Sequence, residues 1–210
     1  MVKKESPGRQ IYDQLMLLPE DERCPFCNHG MVSSLDHILP KSKYPIFAVT
    51  PINLVACCSY CNQQKKTVAP TDKEDSTIHP YFEHLEEFQW LGANVVEKVP
   101  AAIIFHTIKV NEWGDVLNAR ILHQFNLLEL AKLYSRQAAC EIASIRYNLN
   151  EYFKFGGFNA VRSELKRQWK SRKVEQINSW QTATYEALAN SDWFCEKGFT
   201  LKNEEKSAFN

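Results

Sequence analysis

The N-terminal third of the chain alternates between short apolar patterns and proline-rich breaks. Apolar residues recur at helical intervals in residues 9–18 and predict a short leading helix, which Pro19 ends. Residues 31–38, MVSSLDHI, are compatible with a strand. A loop is predicted after it from the prolines Pro40, Pro45 and Pro51. Residues 53–66 then predict a helix or helical turn, because their apolar positions can share one side of it. The predicted order is strand, loop, helix.

A change of pattern follows residue 66. Residues 67–76 are polar and rich in helix breakers, and they predict a boundary near residue 75. Two apolar segments, 79–91 and 101–110, predict short strands or an irregular β element. This part of the chain ends in a turn with the sequence NEWGD.

The last 90 or so residues carry long helical stripes. Residues 118–152 predict one helix almost throughout, and Gly156-Gly157 predicts its end. Two further helices are predicted at about 158–174 and 175–190. The polar tail KNEEKSAFN at 202–210 predicts a frayed end.

These patterns predict an α+β protein. An N-terminal module over residues 1–75 precedes a mainly α-helical region over residues 76–210, which is expected to bind a partner or a substrate. The 210 residues contain no apolar run of about 18, so no membrane span is expected. No signal peptide is recognisable at the N-terminus, and a cytoplasmic, reducing compartment is predicted. The 25 basic residues balance 25 acidic ones, which gives the chain no global field for a polyanion.

The cysteines point to a metal rather than to disulfides. There are seven, an odd number, and five of them fall between residues 24 and 61. Two CxxC pairs, Cys24/Cys27 and Cys58/Cys61, have the spacing that lets four thiolates enclose one tetrahedral zinc ion. Cys57 is a reserve ligand with a poorer spacing, and His29 is a less favoured one.

The same segment contains residue types that suit phosphodiester hydrolysis. That reaction needs a group that takes a proton from water and a cation where negative charge develops. An imidazole can take up a proton at cellular pH, so His37 is the candidate for this group. Asp36 and Asn62 offer the hard oxygen ligands that Mg²⁺ prefers. Four lysines and no acidic residue lie between residues 41 and 66: Lys41, Lys43, Lys65 and Lys66.

Residues 24–66 resemble the HNH, or ββα-metal, endonuclease family, whose order of CxxC, DH, a central Asn-Leu and CxxCN followed by lysine is present here. The resemblance implies a zinc-stabilised, treble-clef-like ββα-metal module. It implies that His37 is the general base and that Asp36 and Asn62 hold a catalytic Mg²⁺ or Mn²⁺. It further implies that Asn53 braces the loop and that Lys65 lies near a substrate phosphate. Lys66 and Lys41 are the other expected substrate contacts.

Two further features bear on this resemblance. Many HNH members carry a glycine pair after DH, whereas KSKYPIFAVTPIN has no glycine and two prolines, which puts the loop shape in question. The segment STIHPYF and the helical region after it resemble stand-alone HNH nucleases of bacterial anti-phage defence, such as the PtuB-like nucleases of Septu and retron systems. That resemblance implies DNA as substrate and a partner ATPase related to ABC or SMC proteins. It also leaves room for an oligomer.

Alternatives remain for each of these features. The zinc module could be a non-catalytic adaptor that binds nucleic acid or an ATPase, or the same site could cleave RNA such as tRNA, since nothing in the motif reads a 2′-hydroxyl. His79 could line the substrate groove or simply pack. The run RSELKRQWKSRK at 162–173 carries six basic residues against one Glu, and it could contact phosphates, dock a partner or be a solvated helix face.

Overall fold

A computed structural model of the chain describes residues 8–200, which fall into two compact units. Unit 1 comprises residues 8–84 together with Glu112–Glu129, and unit 2 comprises Leu85–Asn111 together with residues 130–200. Helices and small two-stranded sheets are both present, so the chain is a helix-rich α+β protein. The boundary that the sequence predicts at residue 75 lies inside unit 1.

Unit 1 contains a small antiparallel hairpin followed by a short helix. Its elements are α1 (Gly8–Met16), β1 (Ser34–His37), β2 (Leu54–Cys57), α2 (Ser59–Lys65) and α3 (Asp115–Leu127). In the register of the hairpin, Asp36 lies opposite Val55, and His37 lies opposite Leu54. The helix α1 confirms the predicted leading helix, although it ends at Met16.

The region after the proline-rich loop differs from its local prediction. Leu54–Cys57 forms a strand, whereas the apolar positions of residues 53–66 predict one helical element. The helix begins only at Ser59, where the side chain of Cys58 caps it by accepting a hydrogen bond from the backbone N–H of Cys61. Pairing with β1, which is distant in sequence, supplies the hydrogen bonds that make this segment a strand.

A long-range clamp holds residues 76–83 in unit 1. The guanidinium of Arg120, on α3, donates to the backbone carbonyls of Ser76 and Thr77 at 3.0 Å each and to the Glu83 carboxylate at 2.8 Å. The backbone N–H of Ile78 donates to the side chain of Gln124, also on α3. Of the short strands or irregular β element predicted at 79–91, only Leu91 lies in a strand, and residues 79–90 have irregular backbone.

Unit 2 packs two helices with a second hairpin. The hairpin pairs β3 (Leu91–Val96) with β4 (Ala102–Thr107), and the helices are α4 (Leu130–Glu175) and α5 (Trp180–Asn190). A π-helical turn follows at Phe194–Gly198. Side chains of these elements form its core, among them Leu91, Ile103, Phe105, Tyr134, Ala138, Leu165, Leu188 and Phe194.

The helix boundaries of this region match the predicted breaks only in part. Gly156 and Gly157 interrupt α4 with non-helical dihedral angles, and Gly157 has a φ of 61°, so the predicted break is confirmed. The helix predicted over 118–152 is instead two helices, separated at Glu129 with a φ of 47°. α5 begins at Trp180 rather than near 175, because the Ser179 side chain caps it by accepting from the N–H of Thr182.

Two predictions concern the ends of the chain and the membrane. The frayed tail predicted at 202–210 lies outside the described residues. Within residues 8–200, every helix is too short or too polar to span a bilayer.

Candidate functional site

Four cysteine sulfurs converge in unit 1. The Sγ atoms of Cys24, Cys27, Cys58 and Cys61 all lie within 4.8 Å of one another, and all four residues are buried. Cys24 and Cys27 precede β1, whereas Cys58 and Cys61 lie at the start of α2, so the cluster joins two parts of the chain. Four thiols at these distances fit a structural zinc site, and they are the four cysteines that the spacing of the two CxxC pairs predicts.

The four thiols change one another's acidity. Hydrogen bonds from the three neighbouring thiols hold the pKa of Cys58 well below its usual range, whereas the crowding of sulfurs raises the pKa of Cys61. A bound cation would stabilise all four as thiolates. Gly30 lies so close to Cys58 that a Cβ there would be 2.8 Å from the Cys58 Cβ, so the loop needs a glycine for this approach.

The two reserve ligands lie outside this cluster. Among residues 8–200, the group of sulfur, imidazole and carboxylate ligands that could share one ion contains neither Cys57 nor His29. Cys57 ends β2 opposite Ser34 and is fully buried, and burial raises the pKa of its thiol. It is a packing residue of the hairpin.

Asp36 meets an ammonium group inside the module. Its side chain lies on β1, and its Oδ2 is 3.3 Å from Nζ of Lys65 on α2. Lys65 is 1% exposed, and the same Nζ also donates to the backbone carbonyl of His37. Lys65 therefore contacts both Asp36 and His37. It binds the side chain of Asp36 and the backbone carbonyl of His37.

Asn62 lies on the same side of β1 as Asp36. Its Nδ2 donates to Oγ of Ser34 at 3.0 Å, and Ser34 is two residues before Asp36 on the strand. Side chains two residues apart on a strand point to the same face. Asn62 and Lys65 are three residues apart on α2, so this helix crosses that face of the strand.

His37 lies on the opposite face of β1. Its Nε2 is 2.9 Å from the backbone carbonyl oxygen of Ala48. Because a carbonyl oxygen only accepts, Nε2 carries the hydrogen in this bond, and Nδ1 is the nitrogen that can accept a proton. The ring lines a mainly apolar cavity of about 720 Å³, whose other walls include Ile11, Tyr12, Leu15 and Val49.

Asn53 connects the two ends of the proline-rich loop. It is 5% exposed, and its side chain accepts from the N–H of Leu39 at 2.7 Å and donates to the carbonyls of Leu39 and Phe47 at 3.0 and 3.1 Å. Phe47 immediately precedes Ala48, whose carbonyl orients His37. Asn53 thus fixes the loop that positions the imidazole, despite the missing glycine pair.

Replacement of Asn53 by Ala is expected to lower the free energy of unfolding by about 2–4 kcal/mol, because three backbone groups lose their partner inside the loop. Chemical denaturation together with hydrogen exchange of the Leu39 amide measures this. The exposed Asn94 supplies a matched Asn→Ala control. Equal stability of the two variants would contradict the bracing role.

The lysines of the motif occupy different environments. Lys65 is buried in its pair with Asp36, which differs from the position beside a substrate phosphate that the resemblance implies. Lys66 is exposed immediately after α2. Lys41 is exposed at the edge of the cavity that contains His37.

Some contacts of the site have no signal in the sequence. Ser34 is the partner of Asn62, and the carbonyl of Ala48 is the partner of His37. Neither residue type suggests such a role, because the role depends on the fold. His79 is half-buried, and its Nε2 lies 2.9 Å from the carbonyl oxygen of Ile52, so it packs against the loop rather than against His37.

The hairpin, the short helix and the four-cysteine cluster define a small α+β module with a candidate zinc site, joined to a helix-rich unit. No family model matches the chain, and no solved structure matches it either. It is 34% identical over 205 residues to protein ea31 of Escherichia phage lambda, a match that covers 91% of this chain and 69% of the phage protein. The chain belongs to the family of protein ea31.

Proposed function

We propose that this protein is a metal-dependent endonuclease of the HNH type that hydrolyses phosphodiester bonds, with DNA as its substrate. The observation that carries the proposal is the order of elements around the cysteine cluster. A strand ends in Asp36-His37, a second strand pairs with it, and a helix places Asn62 against the same strand. This order of strand, strand and helix supports the ββα arrangement that the resemblance implies.

His37 is the general base in this proposal. With Nε2 bonded to the carbonyl of Ala48, its Nδ1 takes a proton from the attacking water. The loop braced by Asn53 fixes the direction of the ring, which is the condition for efficient proton transfer. His37 is the last residue of β1, and Asp36 faces the other side. The substrate phosphate therefore lies across the end of this strand.

Asp36 and Asn62 are the residues that would hold a divalent cation. Oδ2 of Asp36 is buried and ion-paired with Lys65 without a regular hydrogen bond, and Asn62 uses only its Nδ2 in the contact with Ser34. A carboxylate and an available amide oxygen are ligands of the kind that Mg²⁺ or Mn²⁺ prefers, and the ion would compete with Lys65 for this carboxylate. When bound, such an ion stabilises the charge that develops on the phosphoryl and leaving oxygens.

One observation favours a second candidate function. The Asp36 carboxylate already has an ammonium partner in Lys65, which a catalytic metal ligand does not need. A non-catalytic zinc adaptor that binds nucleic acid or an ATPase would use the same fold without cleavage. The cleavage experiment below separates the two.

The resemblance to defence nucleases extends the proposal to partners. This chain acts as the nuclease subunit of a cytoplasmic anti-phage complex with an ATPase related to ABC or SMC proteins. Its zero net charge supports the idea, because a chain without a global positive field relies on a partner or an oligomer for much of its grip on nucleic acid.

Replacement of His37 by Ala is expected to reduce cleavage by about 10²–10⁴-fold, the usual contribution of a general base. The wild type and the variant are incubated with plasmid DNA, single-stranded DNA and tRNA in the presence of Mg²⁺ or Mn²⁺. The expected products carry 5′-phosphate and 3′-hydroxyl ends. The exposed His84 supplies a His→Ala control that keeps wild-type activity.

Each outcome of this experiment has one meaning. Undiminished cleavage by the His37 variant would remove His37 from the mechanism. Cleavage of tRNA alone would make the protein a ribonuclease. No cleavage of any substrate, together with normal biological function of the Asp36, His37 and Asn62 variants, would favour the adaptor.

A further inference from the structure

The C-terminal half of α4 sorts its basic residues into two groups. Its three arginines each have a carboxylate partner in unit 2: Arg162 pairs with Asp192, Arg167 with Glu164 at 2.6 Å and Arg172 with Glu141 at 3.6 Å. Its three lysines are Lys166, Lys170 and Lys173. Within residues 8–200, none of these lysines is joined to a carboxylate. The arginines are therefore engaged in ion pairs within unit 2, whereas the three lysines make none within residues 8–200.

The three lysines share one exposed side of the helix. Their spacing of four and then three residues places them within about 60° of each other around the axis and over about 10 Å along it. We call this row the lysine ridge. Val161 and Leu165 are buried on another side of the same helix, so the ridge points away from the core of unit 2.

No acidic residue of this helical segment neutralises the ridge. Glu164 and Glu175 are the two acidic residues after the break in α4, and both lie about 160–180° around the helix from Lys166. Beside Lys166 on the exposed side, Asn159 and Ser163 are small and uncharged, and Arg162 is basic. A ligand can therefore approach the ridge without meeting negative charge from this helix.

The interaction of basic side chains with the helix dipole does not explain the lysine ridge. Basic residues in the last turn of a helix stabilise it, and Arg172 and Lys173 lie there. Lys166 and Lys170 lie before the last turn, where this effect has faded. Lys173 has a further feature, because its Nζ lies 5.1 Å from the centre of the Trp169 ring. This cation–π contact orders the side chain and reduces the entropy that it loses on binding.

We propose that the lysine ridge contacts the phosphate backbone of nucleic acid, as a second contact surface in addition to the candidate active site. This inference rests on the proposed function for its choice of polyanion. Nucleic acid fits because it presents a negative charge every 3.4 Å along each strand, so that the ridge of about 10 Å spans about three nucleotide steps. Lysines act as point charges toward phosphate and give contact without sequence preference.

The test measures binding rather than cleavage. Lys166, Lys170 and Lys173 are replaced together by Gln in the full-length His37→Ala protein, and binding to labelled duplex and single-stranded DNA is followed by fluorescence anisotropy between about 50 and 200 mM salt. The control replaces three other exposed lysines of unit 2 by Gln: Lys98, Lys154 and Lys197. Circular dichroism verifies that both triple variants fold.

The expected result is a loss of affinity of at least about tenfold and a fall of about 2–3 in the slope of log K against log salt for the ridge variant. The control is expected to lose less than about twofold. Equal losses in the two variants, an unchanged slope in the ridge variant, or no binding by the parent protein would each overturn the proposal. Failure of the nuclease proposal is recognised separately, because a ridge that binds DNA in a protein without His37-dependent cleavage belongs to an adaptor.

Discussion

Replacement of Cys61 by Ser is expected to abolish zinc binding and to unfold the β1–β2–α2 region, while unit 2 stays folded. Cys61 is fully buried and supplies one of four converging sulfurs. The hairpin has only four residues in each strand, and α2 has seven residues. Elements of this length are marginal on their own. Structural zinc contributes about 10–16 kcal/mol of apparent binding free energy in small domains. Zinc binding is therefore expected to supply most of the free energy that folds this region.

Zinc content and local protection measure this effect. Native mass spectrometry gives the metal stoichiometry of the wild type, and hydrogen exchange compares the amides of β1 with those of α4. Treatment with a strong chelator should reproduce the effect of the substitution. Cys57→Ser is the matched control, because it changes the neighbouring buried thiol that lies outside the cluster. Loss of zinc in the Cys57 variant, or full retention in the Cys61 variant, would contradict the assigned ligand set.

Replacement of Lys65 by Met is expected to lower the free energy of unfolding by about 3–5 kcal/mol, because it leaves a carboxylate buried without its cation. Asp36 is 9% exposed, and Lys65 also donates to the backbone of His37, so the substitution removes two interactions at once. Substitutions of exposed lysines usually change the stability far less than this.

The neighbouring position provides the control. Lys66 is exposed, so Lys66→Met should change the stability by less than about 0.5 kcal/mol. Addition of Asp36→Asn to the Lys65 variant should restore part of the loss, because a neutral amide needs no counter-ion. Chemical denaturation followed by circular dichroism gives the three values. If the Lys65 variant is as stable as the Lys66 variant, the ion pair does not hold the module together.

The parts of the fold that depend on local chemistry could be predicted from the sequence. The leading helix, the strand that contains Asp36 and His37, and the break at Gly156-Gly157 all follow from periodicity or from glycine, and the structure confirms them. The convergence of the four cysteines follows from the spacing of the two CxxC pairs. In each case the signal lies within a few residues of the feature that it predicts.

The parts that depend on distant partners could not be predicted. Leu54–Cys57 resembles the start of a helix until its pairing with β1 is known. The segment before β3 is irregular because Asn178, far along the chain, donates to the carbonyls of Leu85 and Phe88 and accepts from the N–H of Trp90. The burial of Lys65 depends equally on Asp36, because a lysine enters a core only with a partner.

The discontinuous make-up of unit 1 has a consequence for biosynthesis. Arg120 and Gln124 supply the contacts that hold residues 76–83 in this unit. During translation, Arg120 and Gln124 emerge from the ribosome only after residues 85–111, which belong to unit 2. The cysteines can capture their ion much earlier, so the nascent chain carries a metal-bound but unfinished unit until α3 emerges and completes it.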